Sequence, residues 1–325
     1  MSSELNRRAF VAGSALVSAG AAFGLPLSGA SSPARAADKP PAQQAPAAQP
    51  RGLPTGKIGN LQISRLILGG SPLQHYVHSR DLAYVHSLMA HYNTPAKILE
   101  TLALAEQQGI NTVVAHPSGP AGNTIALLKR HREKHGGKMQ WIIAPQEPIE
   151  AGLVRYGDQV QRLVDDGAEA IYVWGVQADA LASRGQVDMI GKAVELIKPY
   201  GVPCGVGAHA LNVIEACEKN KIPADFYIKT LHHHNYPSAK LDYDSNWCAN
   251  PEQTIEFMKG VAKPWIAFKV LAAGAIPPQD GFRYALANGA DFILAGMYDF
   301  ELVQNVRIAT ETLGGVGPRR RPWRG

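Results

Sequence analysis

The chain has 325 residues, 46% of them hydrophobic and 18% charged, with a formal net charge of +5 at neutral pH. That apolar content excludes an intrinsically disordered chain, and the length exceeds what one small core requires. The positive balance sits at the ends, where Arg7, Arg8 and Arg35 outweigh Glu4 and where Arg319, Arg320, Arg321 and Arg324 crowd together; the body between them is close to neutral. A nucleic-acid partner needs a basic face on that body, so none is expected.

The first residues point to export. Asn6-Arg7-Arg8-Ala9-Phe10-Val11 resembles a twin-arginine signal, with Asn6 where Ser or Thr is more usual, and Ala34-Arg35-Ala36 supplies a small-residue cleavage site. Gly13, Ser14, Ser18, Gly20 and Gly24 dilute the apolar run between them. A membrane anchor needs about twenty strongly apolar residues, so no stable anchor is expected after cleavage. The expected organisation is a signal over 1–36, a Pro/Ala/Gln-rich linker over 37–52, a folded body over 53–314 and a basic tail over 315–325 that stays out of the core. The twin-arginine machinery is then the export partner, and the periplasm or another exported compartment the destination.

Within the body, apolar runs at 65–69, 112–116, 140–144, 170–174, 203–208, 226–231, 265–270 and 292–295 read as strands. They are nearly continuous in Val, Ile, Leu, Ala and Phe, as parallel strands covered on both faces are. Helical patterns follow them at 95–108, 123–135, 149–166, 187–199, 210–220, 251–261, 278–288 and 301–313, several ending in a glycine such as Gly136 or Gly201. Eight such units in series predict an α/β fold closed as a (β/α)8 TIM barrel. An open doubly wound sheet would carry a dinucleotide fingerprint, which is missing. The three cysteines, Cys204, Cys217 and Cys248, form no disulfide framework or metal-binding spacing.

The opening of the body, from Gly56-Lys57-Ile58-Gly59-Asn60-Leu61 through Leu66-Ile67-Leu68-Gly69-Gly70, resembles the start of aldo/keto reductases. The resemblance implies a short hairpin that caps the barrel bottom. It also implies a catalytic Asp near the end of strand two, a Tyr in the next loop, a Lys on strand three and a His on strand four. Here strand two ends in His116-Pro117, its loop lacks Tyr, strand three runs from Met139 to Ala144, and strand four ends in Trp174-Gly175. The stretches His78-Ser79-Arg80-Asp81-Leu82 and Lys229-Thr230-Leu231-His232-His233 look like those of exported bacterial barrels related to that family but without its catalytic tetrad.

Barrel active sites lie at the C-terminal strand ends. Nine of the eleven histidines fall there: His75, His78, His86 and His91 in the loop after strand one, then His116, His209, and His232, His233 and His234. The first loop, 71–94, is far longer than an ordinary βα connection and reads as a lid, with a short helix over 81–90 whose Leu82, Val85, Leu88 and Met89 pack down. His78, Arg80 and Asp81 then close over substrate. Strand alternation, with a lysine costly against the helix layer, places Lys229 and Lys269 inward. Two neighbouring amines depress each other's basicity, so Lys229, Lys269 and His209 are the candidates for proton transfer. His116, Trp247 and Asp299 are further substrate contacts. Gly274 and Gly296, after strands seven and eight, mark the usual phosphate cradle of this fold.

Four functions fit these residues. In the favoured one, an exported enzyme works on a small polar, carbohydrate-derived hydroxy-carbonyl compound by acid/base lyase, isomerase or hydrolase chemistry, with a divalent metal on His209, His232 and His234 polarising the substrate. The others are a Schiff-base aldolase using Lys229, an NAD(P)-dependent reductase of the aldo/keto type, and a barrel that binds sugar without turnover.

Overall fold

The computed structural model describes residues 52–79, 82–239 and 244–325. The strands in chain order are β1 (Thr55–Ile58), β2 (Leu61–Ser64), β3 (Leu66–Gly69), β4 (Thr112–Ala115), β5 (Ser118–Gly119), β6 (Gly122–Asn123), β7 (Gln140–Ile143), β8 (Ala170–Val173), β9 (Cys204–Ala208), β10 (Phe226–Thr230), β11 (Trp265–Phe268) and β12 (Phe292–Gly296). Eight of them, β3, β4, β7, β8, β9, β10, β11 and β12, pair in parallel in that order, and β12 returns to β3 to close a barrel. All eight predicted strands are present within one or two residues of their expected ends. The closing register runs from Ile293 opposite Leu66 to Gly296 opposite Gly69.

Side-chain alternation divides the core in two. Ile67, Ile142, Phe226, Ile228, Ile266 and Phe292 fill the barrel interior together with Ile58 and Ile63 of the β1–β2 hairpin. That hairpin caps the bottom, as the resemblance implied. Gly205 makes room inside: a Cβ there would sit 2.4 Å from the Phe226 ring. The opposite strand faces, including Val113, Tyr227, Leu231 and Ile293, pack against the helices.

Those helices are α1 (Ser71–Gln74), α2 (Tyr84–Tyr92), α3 (Pro95–Gln107), α4 (Thr124–His135), α5 (Val154–Asp165), α6 (Gly175–Ser183), α7 (Val187–Ile197), α8 (Leu211–Lys219), α9 (Pro251–Gly260), α10 (Pro278–Ala287) and α11 (Asp299–Gly315). Helix α5 starts five residues later than its pattern predicts. Gly152 and Leu153 both adopt positive φ, and the side chains of Gln159 and Gln177 take up the amides of Gln146, Glu147 and Ile149 instead. Helix α6 was not expected at all; its sequence is rich in good helix formers but has no clean amphipathic stripe and no side-chain cap. No described helix is long and apolar enough to cross a membrane.

The expectation that the basic tail stays out of the core is corrected. Arg321 is fully buried and its guanidinium lies 2.6 Å from the equally buried Asp291 carboxylate, while donating to the carbonyls of Gly289, Val261 and Lys263. The Trp323 ring is sandwiched between Arg65 and Arg319, whose guanidinium carbons lie 3.9 and 3.3 Å from its centroid. Arg65, just before β3, donates to the backbone oxygen of Gly325 at 2.7 Å. A charged run looks solvated in sequence because its one buried carboxylate partner lies thirty residues upstream. The expected twin-arginine signal and most of the expected linker, 1–51, lie outside the described residues.

Candidate active site

A cavity of about 840 Å³ opens at the C-terminal strand ends, lined by the ends of β3, β4, β8, β9, β11 and β12 and by the loops after β3 and β10. Its floor is apolar, with Val114, Ile228 and Leu294, and its walls carry Trp174, Phe268, Trp247 and Tyr298.

His209 follows β9 directly and faces this space. Asp179 of α6 reaches it from behind, its Oδ2 2.6 Å from the ring Nδ1, while the same carboxylate accepts the backbone amides of His209 and Ala210. The carboxylate therefore fixes the tautomer with Nδ1–H donating, and leaves Nε2 as an acceptor. Burial lowers the His209 pKa below the ordinary imidazole value, against the pull of Asp179 and with further lowering by Lys269 and Lys229. The ring is thus neutral near pH 7. Asp179 escaped sequence reasoning because the helix that carries it did.

Lys269 also lines the cavity. Its backbone is left-handed, with φ 59°, so the side chain leaves the strand alternation and turns into the mouth. Nζ donates to Ser245 Oγ and to the Asn246 carbonyl (2.9 Å), and lies 5.3 Å from the Trp247 ring centroid. Burial brings its pKa down to about 8, with Asp179 and Asp244 acting in the opposite sense. His78 reaches the same spot from the first loop, with Nε2 3.5 Å from Ser245 Oγ, Nδ1 donating to the Asp244 carbonyl at 3.3 Å and the ring edge-on to Trp247. Burial and Lys269 lower its pKa as well. The two long loops meet here.

Lys229 differs from expectation. It shares the parity of Tyr227 and Leu231, which face the helix layer, whereas Ile228 faces inward. It does not line the cavity; it is 1% exposed, and Nζ donates to the Thr230 hydroxyl at 2.8 Å and carbonyl at 3.1 Å. The assumption that a lysine is too costly against the helices fails because this amine finds two oxygens there and burial lowers its pKa, which favours the neutral form.

His116 lines the cavity in edge contact with Trp174, held by Gln74, whose side chain bonds both the His116 carbonyl and amide. Its Nδ1 is buried without a partner. Trp247 lines the cavity. Asp299 does not: Tyr92 donates to it at 2.7 Å and Lys97 at 3.3 Å at the start of α11. Arg80 and Asp81 lie outside the described residues. His75 bonds the Asn93 carbonyl, and His86 and His91 are exposed on α2. Helix α2 begins three residues later than predicted, and of its four expected packing residues Met89 is buried whereas Leu82 and Leu88 are about half exposed.

The metal set is not assembled. His232 is buried, with Nδ1 on the His233 carbonyl and Nε2 accepting the Cys248 amide, so both ring nitrogens are occupied. His234 bonds the Cys248 carbonyl and His233 packs on Tyr284. The His232 and His234 rings lie 5.6 Å apart, but both are bonded to the Cys248 backbone, so they anchor the loop after β10. Among the described residues no group of three His, Cys, Asp or Glu side chains is placed to hold a metal ion. At the expected anion cradle, Gly274 and Gly296 both border the cavity, but the Gly274 amide is committed to the Leu271 carbonyl at 2.9 Å. Gly296 is small because a Cβ there would meet Pro72 at 2.7 Å.

The buried imidazoles predict an acid-sensitive fold. Burial lowers the pKa of both His116 and His232 to about 4, against roughly 6.5 in an unfolded chain. Below pH 6.5 the unfolded chain binds protons that the folded one refuses, so stability is full above 6.5 and declines as pH falls toward 4. Urea unfolding at pH 5 should show a loss of roughly 2 kcal/mol per ring relative to pH 7.5, reduced in His232→Gln. Equal stability at the two pH values would contradict the neutral assignment.

No protein-family profile matches the sequence, and a search of curated proteins finds no relative. Solved structures do match the fold. A putative aldo-keto reductase from Pseudomonas aeruginosa aligns with a TM-score of 0.55 and 16% identity, over 81% of this chain and 98% of its own. An aldo-keto reductase from Bacillus halodurans, in its holo form, aligns with a TM-score of 0.56 and 11% identity over 81% and 96%. The chain shares the barrel of the aldo-keto reductases. A 3-deoxy-D-arabino-heptulosonate 7-phosphate synthase from Thermotoga maritima is nearly as similar, with a TM-score of 0.52 and 12% identity over 82% and 95%. At such identities the likeness is one of fold, and the site must be read from its own residues.

Proposed function

We propose that this protein is an exported barrel enzyme that removes a proton beside the carbonyl of a small, carbohydrate-derived hydroxy-carbonyl compound, as the first step of a lyase or isomerase reaction. The export half rests on the twin-arginine-like start at Asn6-Arg7-Arg8 and the Ala34-Arg35-Ala36 site. The chemical half rests on one observation, the Asp179–His209 couple that presents a neutral imidazole Nε2 to a cavity also bordered by an amine.

In this reading the substrate lies over the apolar floor, with Trp174 and Trp247 as walls for its ring or carbon chain. His209 takes the proton, and Asp179 stabilises the imidazolium that forms. Lys269 engages the carbonyl, where negative charge develops. His116, neutral at pH 7, adds an uncharged polar edge.

A nicotinamide dinucleotide is a poorer fit. Among the described residues the cavity wall carries one lysine and no arginine to meet its phosphates, and the strand-two to strand-four positions of the reductase tetrad hold other residues. The test is proton NMR in D2O with a panel of hydroxyaldehydes and hydroxyketones. Exchange of the C–H beside the carbonyl, dependent on His209, is expected. Binding without exchange across the panel would support the sugar-binding alternative and sink the enzyme reading.

A further inference from the structure

We infer that Lys269 is a carbonyl-condensing residue: its amine forms an imine with the aldehyde or ketone carbon of the substrate, and His78 and Ser245 relay the proton that must leave it first. This deepens the proposed function and rests on its carbonyl-substrate reading.

The geometry around Nζ carries the argument. A neutral amine has two hydrogens and one lone pair. The Asn246 carbonyl is an obligate acceptor and takes one hydrogen, and Ser245 Oγ is placed to take the other. The remaining vertex of the nitrogen is the lone pair, on a side chain that borders the cavity. No carboxylate of the described residues lies within ion-pair distance to hold the nitrogen as an ammonium, and the Trp247 and Phe268 rings, with centroids 5.3 and 5.9 Å away, restrict water around it. The left-handed φ of 59° at Lys269 is a conformation that a side chain rarely adopts, and here it directs the amine into the mouth.

Ser245 Oγ stands between two nitrogens, Lys269 Nζ and His78 Nε2. The His78 Nδ1–H donates to the Asp244 carbonyl, so Nε2 is the free acceptor of a neutral ring. An ammonium proton on Lys269 passes to Ser245 while the hydroxyl proton passes to His78. Burial lowers the Lys269 pKa to about 8, so a sizeable fraction of the amine is already neutral near physiological pH.

The covalent step balances without any redox partner. The amine lone pair attacks the carbonyl carbon and the C=O π pair moves to oxygen; the nitrogen, now four-bonded and cationic, gives one proton to Ser245 and the oxygen takes one, leaving a neutral carbinolamine whose nitrogen has its lone pair again. The carbinolamine oxygen takes a second proton and leaves as water, and the nitrogen lone pair forms C=N. The resulting iminium acidifies the neighbouring C–H, where His209 acts.

The experiment incubates the full chain with glycolaldehyde, dihydroxyacetone or pyruvate and sodium cyanoborohydride, then reads intact mass and peptide maps. One adduct per chain on the peptide that carries Lys269 is expected, with a rate that rises through pH 8 rather than through the ordinary lysine range. Lys269→Arg retains donors for Ser245 and Asn246 but forms no imine, so it should lose the adduct while keeping the fold. Ser245→Ala should slow adduct formation at Lys269 by about tenfold at pH 7, where the ammonium must first lose its proton; an unchanged rate would remove the relay. Adducts spread evenly over surface lysines, or none at Lys269, would overturn the covalent assignment. If C–H exchange persists in that case, the His209 reading stands alone; if trapping occurs without exchange, the reverse holds.

Discussion

His209→Ala is expected to lower C–H exchange of a hydroxy-carbonyl substrate by about 10²- to 10⁴-fold, the usual worth of a positioned general base. The fold should survive it. The Asp179 carboxylate keeps the backbone amides of residues 209 and 210 as donors after the ring is gone, so no buried charge is left unpaired. Asp179→Asn should cost less, about 10- to 10³-fold, because the ring stays but the imidazolium loses its counter-charge. In the wild type the rate should fall on the acid side only below the ordinary imidazole pKa, since burial holds His209 down. Exchange kinetics across pH 4 to 8 for the three proteins read all of this. A His209→Ala rate within twofold of wild type would dismiss the couple as structural.

Arg321→Ala is expected to destabilise the barrel by about 3–5 kcal/mol, because it leaves the Asp291 carboxylate buried without its counter-charge. Asp291→Ala should cost at least as much. Asp291 also accepts the amides of Trp265 and Arg324, and thereby ties the start of β11 to the tail. The Arg321→Met, Asp291→Asn pair should recover part of the loss, since removing both charges is far less costly than stranding one. Chemical denaturation of the purified variants measures the difference. An unchanged midpoint in Arg321→Ala would mean that the tail rests on the barrel without holding it.

The barrel was legible because its eight apolar runs each answer to a local rule that tertiary context did not override. The side chains at the mouth were less so. The placement of His209, His78, His116 and Trp247 followed from strand order alone, and the structure brings all four to one cavity. Lys229 was misdirected by a cost argument that ignored the neighbouring Thr230 oxygens. Lys269 reaches the mouth through a left-handed residue, not through alternation. The His232 to His234 run suggested ligands by composition, but loop amides and carbonyls take up the ring nitrogens of His232 and His234. Asp179 was invisible because a weakly patterned helix hid its position.

The closure of the barrel also sets an order in time. Strand β3, near the start of the body, has β12 as one neighbour, and Arg65 beside it bonds the backbone of Asp291 and Gly325. A chain emerging from the ribosome therefore holds β3 with an open edge until almost all of its length is available. Until then the exposed edge is a template for wrong pairing. The arginines and tryptophan that follow β12 act as a latch on the completed circle, so a chain cut short before Arg321 would carry every barrel strand and the whole candidate site yet lack the piece that secures its seam.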